Sequence, residues 1–227
     1  IPSFRLKNAT MRIGILTSGG DCPGINATIR GVCKTAINYY GMEVVGIHSG
    51  FQGLLTKDVE SITDKSLSGL LNLGGTMLGT SREKPFKKGG VVSDVDKPSL
   101  ILQNIHEIGL DCVVCIGGNG TQKTAAKFVA MGVNIVSVPK TIDNDLMGTD
   151  HTPGFGSAAK YVASSILEVV HDSLIYQLKS VTIIEIMGRN AGWLTAAAAL
   201  ARNEYNDAPD LIYLPEVVFD KERFLRD

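Results

Sequence analysis

DCVVCIGGNGTQKTAAKFVAMGVNIVSVPKTIDND, residues 111–145, reads as strand, helix, strand. The run CVVCI (112–116) breaks at the glycines of GGNGTQK. TQKTAAKFVAM (121–131) carries apolar positions near helical spacing, and VNIVSV (133–138) is again a short apolar run. Both strands are nearly continuous in Val, Ile and Cys, as expected where helices cover both faces of a sheet. Two such strands around one helix form a parallel unit. The chain then leaves the second strand on a lysine, a threonine and the aspartates Asp143 and Asp145, where a turn would ordinarily use Gly, Asn or Ser.

The same alternation extends outward. MRIGILTS (11–18), MEVVGIH (42–48), VTIIEIM (181–187) and DLIYLP (210–215) read as further strands. Residues 25–40, 100–110, 158–174 and 191–201 read as helices, the first closed by Gly41. The expectation is an α/β fold: doubly wound, mainly parallel sheets with helices on both faces. In such folds ligands sit beyond the carboxyl ends of the strands. The loops that follow the strands are therefore where function is sought.

Composition narrows the classes. The chain has 227 residues, 44% hydrophobic and 20% charged, which suits a packed globular protein. Its formal net charge of −1 argues against nucleic acid as a partner bound by bulk electrostatics. No apolar stretch is long enough to span a membrane. Glycine numbers 25, above the usual ~7%, and the excess gathers at strand ends where a backbone must approach something closely. Cys112 and Cys115 have C-x-x-C spacing, but an offset of three in a strand puts them on opposite faces. All four cysteines read as buried structural thiols, which points to a reducing, cytoplasmic setting. Residues 1–10 read as a tag or short extension.

The strand-end loops share one chemistry. TSGGDCPGIN (17–26) places Gly19 and Gly20 before a helix N-terminus, which suits an anion. It is neither a Walker A loop nor G-x-G-x-x-G. TMLGTSREKPF (76–86) carries Arg82, whose planar fork suits phosphate. GGNGTQK (117–123) is a second glycine cradle. PKTIDND offers Lys140 for a moving phosphoryl group, Thr141, and two carboxylates able to act as a base or hold Mg²⁺. If the segment is extended, Thr141, Asp143 and Asp145 share one side. MGRNAGW (187–193) brings Gly188 and Arg189 to another strand end. Singly, each loop has a plainer reading as a turn, a cap or a solvated charge. Together they point to phosphoryl transfer, which relies on positioning and charge neutralisation.

GILTSGGDCPGINATIRGV, GGTMLGTSR, IGGNGT, PKTIDND and EIMGRNAGW, in that order, resemble the phosphofructokinase family, from Met11 to about Asp220. The resemblance implies phosphorylation of fructose 6-phosphate on its 1-hydroxyl, with Mg²⁺ as cofactor, in a cytoplasmic dimer or tetramer. It implies two Rossmann-like domains, a phosphoryl-donor domain over 11–150 and the start of a sugar-phosphate domain over 151–227. It also implies that the chain matches the first two-thirds of such an enzyme.

Residue by residue, Gly20, Arg82, Gly118, Asn119, Gly120 and Thr121 match donor-binding positions, with Gly117 in the same loop. Asp143 matches the base, Thr141 and Asp145 its partners, and Met187, Gly188 and Arg189 the sugar-phosphate site. Asn119 and Asp145 match the metal positions, and Arg30 and Lys34 basic effector positions. Asn119 stands where the family usually has an aspartate, and Ser180 where bacterial members have an arginine. In the family, a glycine at the position of Gly120 leaves room for ATP. A lysine at the position of Lys140 accompanies pyrophosphate use but is found in some ATP users. The expected donor is ATP, with pyrophosphate the alternative. A non-catalytic nucleotide or sugar-phosphate sensor is the rival from another class.

Overall fold

The computed structural model describes residues 10–86, 96–175, 177 and 179–226. The extension expected over 1–10 lies outside them save for Thr10. The chain divides into two compact units between Lys140 and Thr141.

Unit 1 is built on a five-stranded sheet: β1 (Arg12–Ser18), β2 (Glu43–Ile47), β3 (Val59–Ile62), β4 (Cys112–Gly117) and β5 (Ile135–Pro139), in the order β3-β2-β1-β4-β5. All neighbours are parallel except β2 and β3. The edge strand β3, VESI, is short and half polar, too weak an alternation to read from sequence.

The helices of this unit are α1 (Ile25–Tyr40), α2 (Phe51–Thr56), α3 (Lys97–Ile108) and α4 (Asn119–Ala130). Leu16, Ile47, Val113 and Cys115 on one sheet face pack with Phe51, Leu54, Ile101, Ile105, Ala125 and Phe128 of α2, α3 and α4. Ile13, Ile15, Val114 and Ile116, pointing the other way by strand alternation, are buried too. α1 buries Ile25, Ile29, Cys33 and Ala36, one stripe at spacings of four and three. It ends at Gly41, whose left-handed backbone (φ 61°) lets its N–H donate to the Ile37 carbonyl.

Strand order reverses between β1 and β4. That reversal is a topological switch point, with a crevice beyond the carboxyl ends of the two strands. It selects two of the glycine loops, TSGGD after β1 and GGNGT after β4.

Unit 2 departs from expectation. It contains α5 (Phe155–Leu174), α6 (Trp193–Ala197) and α7 (Lys221–Arg226), and no sheet among the described residues. VTIIEIM and DLIYLP, expected as strands, do not form them. Their compositions favour strand, but no described segment offers them a ladder. Val181 and Ile183 stand 88% and 82% exposed. Only Ile186 and Ile212 turn inward, against a small core of Ile166, Ala198 and Ala201. The helix expected over 191–201 is split into α6 and a 3-10 turn, Ala198–Ala201.

Candidate active site

In unit 1 the loops after β1, β4 and β5 are stitched together and to residues 76–81. The Gly19 N–H donates to the Ser81 carbonyl (3.2 Å), and Thr80 Oγ1 donates to the Gly19 carbonyl (2.7 Å). Thr17 Oγ1 donates to the Gly79 carbonyl (2.6 Å). Thr121 Oγ1 donates to the Ser18 carbonyl (3.3 Å), and the Lys140 N–H to the Gly117 carbonyl (3.1 Å). A Cβ on Gly117 would collide with the Thr121 side chain and come within 2.7 Å of the Ser18 carbonyl, so only glycine lets β1 and β4 close here.

Gly20 and Gly120 differ from Gly117. A Cβ on either would meet nothing within 4 Å. Both border open space, as a backbone that receives a ligand must. Asn119 opens α4 and is exposed. Thr121 is buried, and its hydroxyl braces the loop from inside. Arg82 is exposed, and no ion pair engages it among the described residues.

Lys140 is 5% exposed, and its Nζ donates to the Gly20 carbonyl. A buried ammonium has three donors and needs compensating acceptors or charge. A neutral carbonyl supplies part of that, and an anion on the glycine loop would supply the rest. Cys22 lies in the same neighbourhood. Burial pushes its thiol up to about 11, against the opposing pull of Lys140. Burial likewise raises Cys33 and Cys115 to about 12, in keeping with structural thiols.

Unit 2 opens with the carboxylates, and here the extended reading fails. Asn144 has a left-handed backbone (φ 54°), so the chain bends over Thr141–Asp145 and does not continue as a strand. The Asp143 N–H donates to Thr141 Oγ1 (3.1 Å). Asn144 is buried and clamps the loop. Its Nδ2 donates to the Asp150 carbonyl (3.0 Å), and its Oδ1 accepts from the Thr152 N–H (3.1 Å). Thr152 Oγ1 donates to the Thr141 carbonyl (2.6 Å). Asp150 serves through its backbone carbonyl.

Asp143 is half-buried, and its Oδ1 is enclosed without a hydrogen-bond partner among the described residues. Burial raises its carboxyl above the ordinary aspartate range, and the neighbouring Asp145 carboxylate adds to the rise. Asp145 itself is exposed.

Elsewhere in unit 2, Met187 and Arg189 are exposed. Gly188 (φ 133°) sits where a Cβ would strike the Ala191 carbonyl. Lys34, an expected effector position, is engaged by Asp64 at 2.7 Å.

Sequence reading missed the polar clamps. Asn26, buried on α1, donates to the Leu73 and Gly74 carbonyls (3.2 and 3.1 Å) and accepts from the Met77 N–H (2.7 Å), fixing the approach to the Arg82 loop. The available signal was a polar residue inside an apolar helical stripe. Asn144 and Thr152 carried no comparable signal.

A family model, Phosphofructokinase, matches residues 12–227. The chain belongs to the phosphofructokinase family. It is 71% identical over 210 residues to ATP-dependent 6-phosphofructokinase 3 of Bacteroides thetaiotaomicron, covering 92% of this chain and 60% of that one. It is 45% identical over 218 residues to the ATP-dependent 6-phosphofructokinase of Spirochaeta thermophila, covering 94% and 58%. Among solved structures, the pyrophosphate-dependent phosphofructokinase of Nitrosospira multiformis superposes with a TM-score of 0.84 at 32% identity, covering 96% of this chain and 56% of that one. The chain thus spans about 55–60% of the length of the curated phosphofructokinases it matches. No described helix is long and apolar enough to cross a membrane.

The family implies Mg²⁺, and the donor chemistry here fits it. Asp143 and Asp145 are hard oxygen donors, and the Asp145 charge, which adds to the burial that raises the Asp143 pKa, is one a cation would offset. No group of three or more His, Cys, Asp or Glu gathers among the described residues. A divalent ion held by one or two carboxylates and completed by phosphate oxygens needs no such group.

Proposed function

We propose that the protein transfers a phosphoryl group from ATP to the 1-hydroxyl of fructose 6-phosphate, as a cytoplasmic, oligomeric 6-phosphofructokinase. The observation that carries this reading is the Asp143 carboxylate, with an enclosed Oδ1 that no donor among the described residues satisfies. Buried acceptors are nearly always paired, so the missing donor is assigned to the substrate hydroxyl. Unit 1 is read as the donor domain and unit 2 as the start of the sugar-phosphate domain.

In this reading the 1-hydroxyl gives its proton to Asp143 as its oxygen bonds to the γ-phosphorus, and the bond from that phosphorus to the bridging β-γ oxygen breaks. Thr141 orients the base through the Asp143 N–H. Gly20, Gly118, Asn119, Gly120 and Thr121 form the donor loops, where backbone N–H groups and the α4 N-terminus meet phosphate charge. Arg82 and Lys140 neutralise the phosphoryl oxygens. Met187, Gly188 and Arg189 bind the sugar phosphate. In unit 1 the candidate metal ligand is the Asn119 amide oxygen, and Asp145 in unit 2 would hold Mg²⁺. Its chemistry when bound is neutralisation of phosphate charge.

ATP is preferred over pyrophosphate because of the open space at Gly120. The two curated relatives described above are both named as ATP-dependent, and a more distant one, 42% identical, is named for pyrophosphate. The test is fructose 1,6-bisphosphate formation by the full-length protein with ATP and, separately, with pyrophosphate. The expected result is turnover with ATP. Turnover with pyrophosphate alone would reassign the donor, and none with either would leave the sensor reading.

A further inference from the structure

The loop from Thr141 to Gly154 begins and ends side by side: Thr141 and Gly154 form an isolated parallel bridge. Between them the backbone is held mainly by two buried side chains, Asn144 at 7% and Thr152 at 4% exposure. Asn144 uses both ends of its amide, donating to Asp150 and accepting from the Thr152 N–H. The hydroxyl of Thr152 then reaches back to the Thr141 carbonyl. Asp143 and Asp145 flank Asn144 directly, so the left-handed turn at Asn144 sets the direction in which each leaves the backbone. Asparagine is the non-glycine residue that tolerates this backbone while carrying a side chain able to span both partners.

We propose that Asn144, acting through Thr152, is the positioning residue for the catalytic base, locking Asp143 in its reactive place without touching substrate. The inference rests on the assignment of Asp143 as base. Asn144 and Thr152 are the two buried polar side chains of this loop, and misplacement of a reacting group by about 1 Å can cost on the order of 10²-fold in rate.

The test uses the full-length protein with ATP and fructose 6-phosphate. Asn144→Ala should lower kcat by about 10- to 100-fold while KM for both substrates moves by no more than about threefold. Asn144→Gly keeps the left-handed backbone but not the clamp, and should fall with the alanine variant. Thr152→Val should show the same kcat loss, and Thr152→Ser, which keeps the hydroxyl, should restore most of it. Amide hydrogen exchange at Asp143 and Thr152 should accelerate in Asn144→Ala and not in Thr152→Ser. A folded Asn144→Ala variant with kcat within about twofold of wild type, or with unchanged exchange at Asp143, overturns the proposal. If the wild-type protein does not phosphorylate fructose 6-phosphate, the functional reading falls by itself, and exchange at Asp143 alone decides whether Asn144 holds the loop.

Discussion

Unit 1 and unit 2 organise their polar loops by different means. In unit 1 the loops after β1, β4 and β5 are extensions of a hydrogen-bonded sheet, and side-chain hydroxyls of Thr17, Thr80 and Thr121 add to the backbone bonds from Gly19 to Ser81 and from Lys140 to Gly117. In unit 2 the loop carrying Asp143 and Asp145 has no sheet beneath it among the described residues, and side chains do the tying. A sheet-borne loop tolerates loss of one side-chain bond because its strands remain paired. A clamp-borne loop does not. The difference fits the proposed division of labour: a backbone cradle for phosphates in unit 1, and a single oriented carboxylate in unit 2.

The strongest way to break that division is to remove the carboxylate alone. Asp143→Asn preserves shape and should lower kcat by about 10²–10⁴-fold, the usual contribution of a general base. That corresponds to roughly 3–5 kcal/mol of barrier. Steady-state kinetics with ATP and fructose 6-phosphate measures it. An unchanged kcat in the folded variant would move the chemistry away from unit 2 altogether.

The same contrast explains what could be read from the sequence. Strands β1, β2, β4 and β5 of unit 1 and the glycine loops at their ends were legible because period and punctuation are local properties of the chain; the half-polar edge strand β3 was not. VTIIEIM and DLIYLP carry the same local signal and misled, because a strand exists only when another segment pairs with it. The turn at Asn144 was illegible for a related reason. An asparagine between two aspartates invites an extended reading, and the partners that reverse it, Asp150 and Thr152, lie six and eight residues on. Residue types gave the candidate chemistry, but the way Asp143 is held was visible only in three dimensions.

A second test separates packing glycines from ligand-facing ones inside unit 1. Gly117→Ala places a methyl against the Ser18 carbonyl and the Thr121 side chain, and should destabilise by about 1–3 kcal/mol as overpacking does. Thermal unfolding should register roughly 2–4 °C per kcal/mol. Gly120→Ala meets nothing and should stay within about 0.5 kcal/mol of wild type. Equal effects at the two positions would mean that the cradle is not built on the β1–β4 contact.

The smallest expected effect bears on the clamp-borne loop and concerns stability, not rate. The Asp143 carboxyl is raised in the folded protein by burial and then by Asp145. The folded state therefore holds this proton more tightly than the unfolded chain does. Its favourable contribution is fully present at pH below the ordinary aspartate range and is lost as pH rises through the raised folded value. At neutral pH the ionised group strains the fold, and Asp143→Asn should melt slightly above wild type. In acid, where both states of the wild type are protonated, the two melting curves should converge. Activity runs the opposite way, because Asp143 accepts a proton only when ionised: kcat should fall as pH drops through a value above the usual aspartate range. If Asp143→Asn instead melts below wild type at neutral pH, the carboxylate must already be satisfied by protein donors, and its Oδ1 would not be waiting for a substrate hydroxyl.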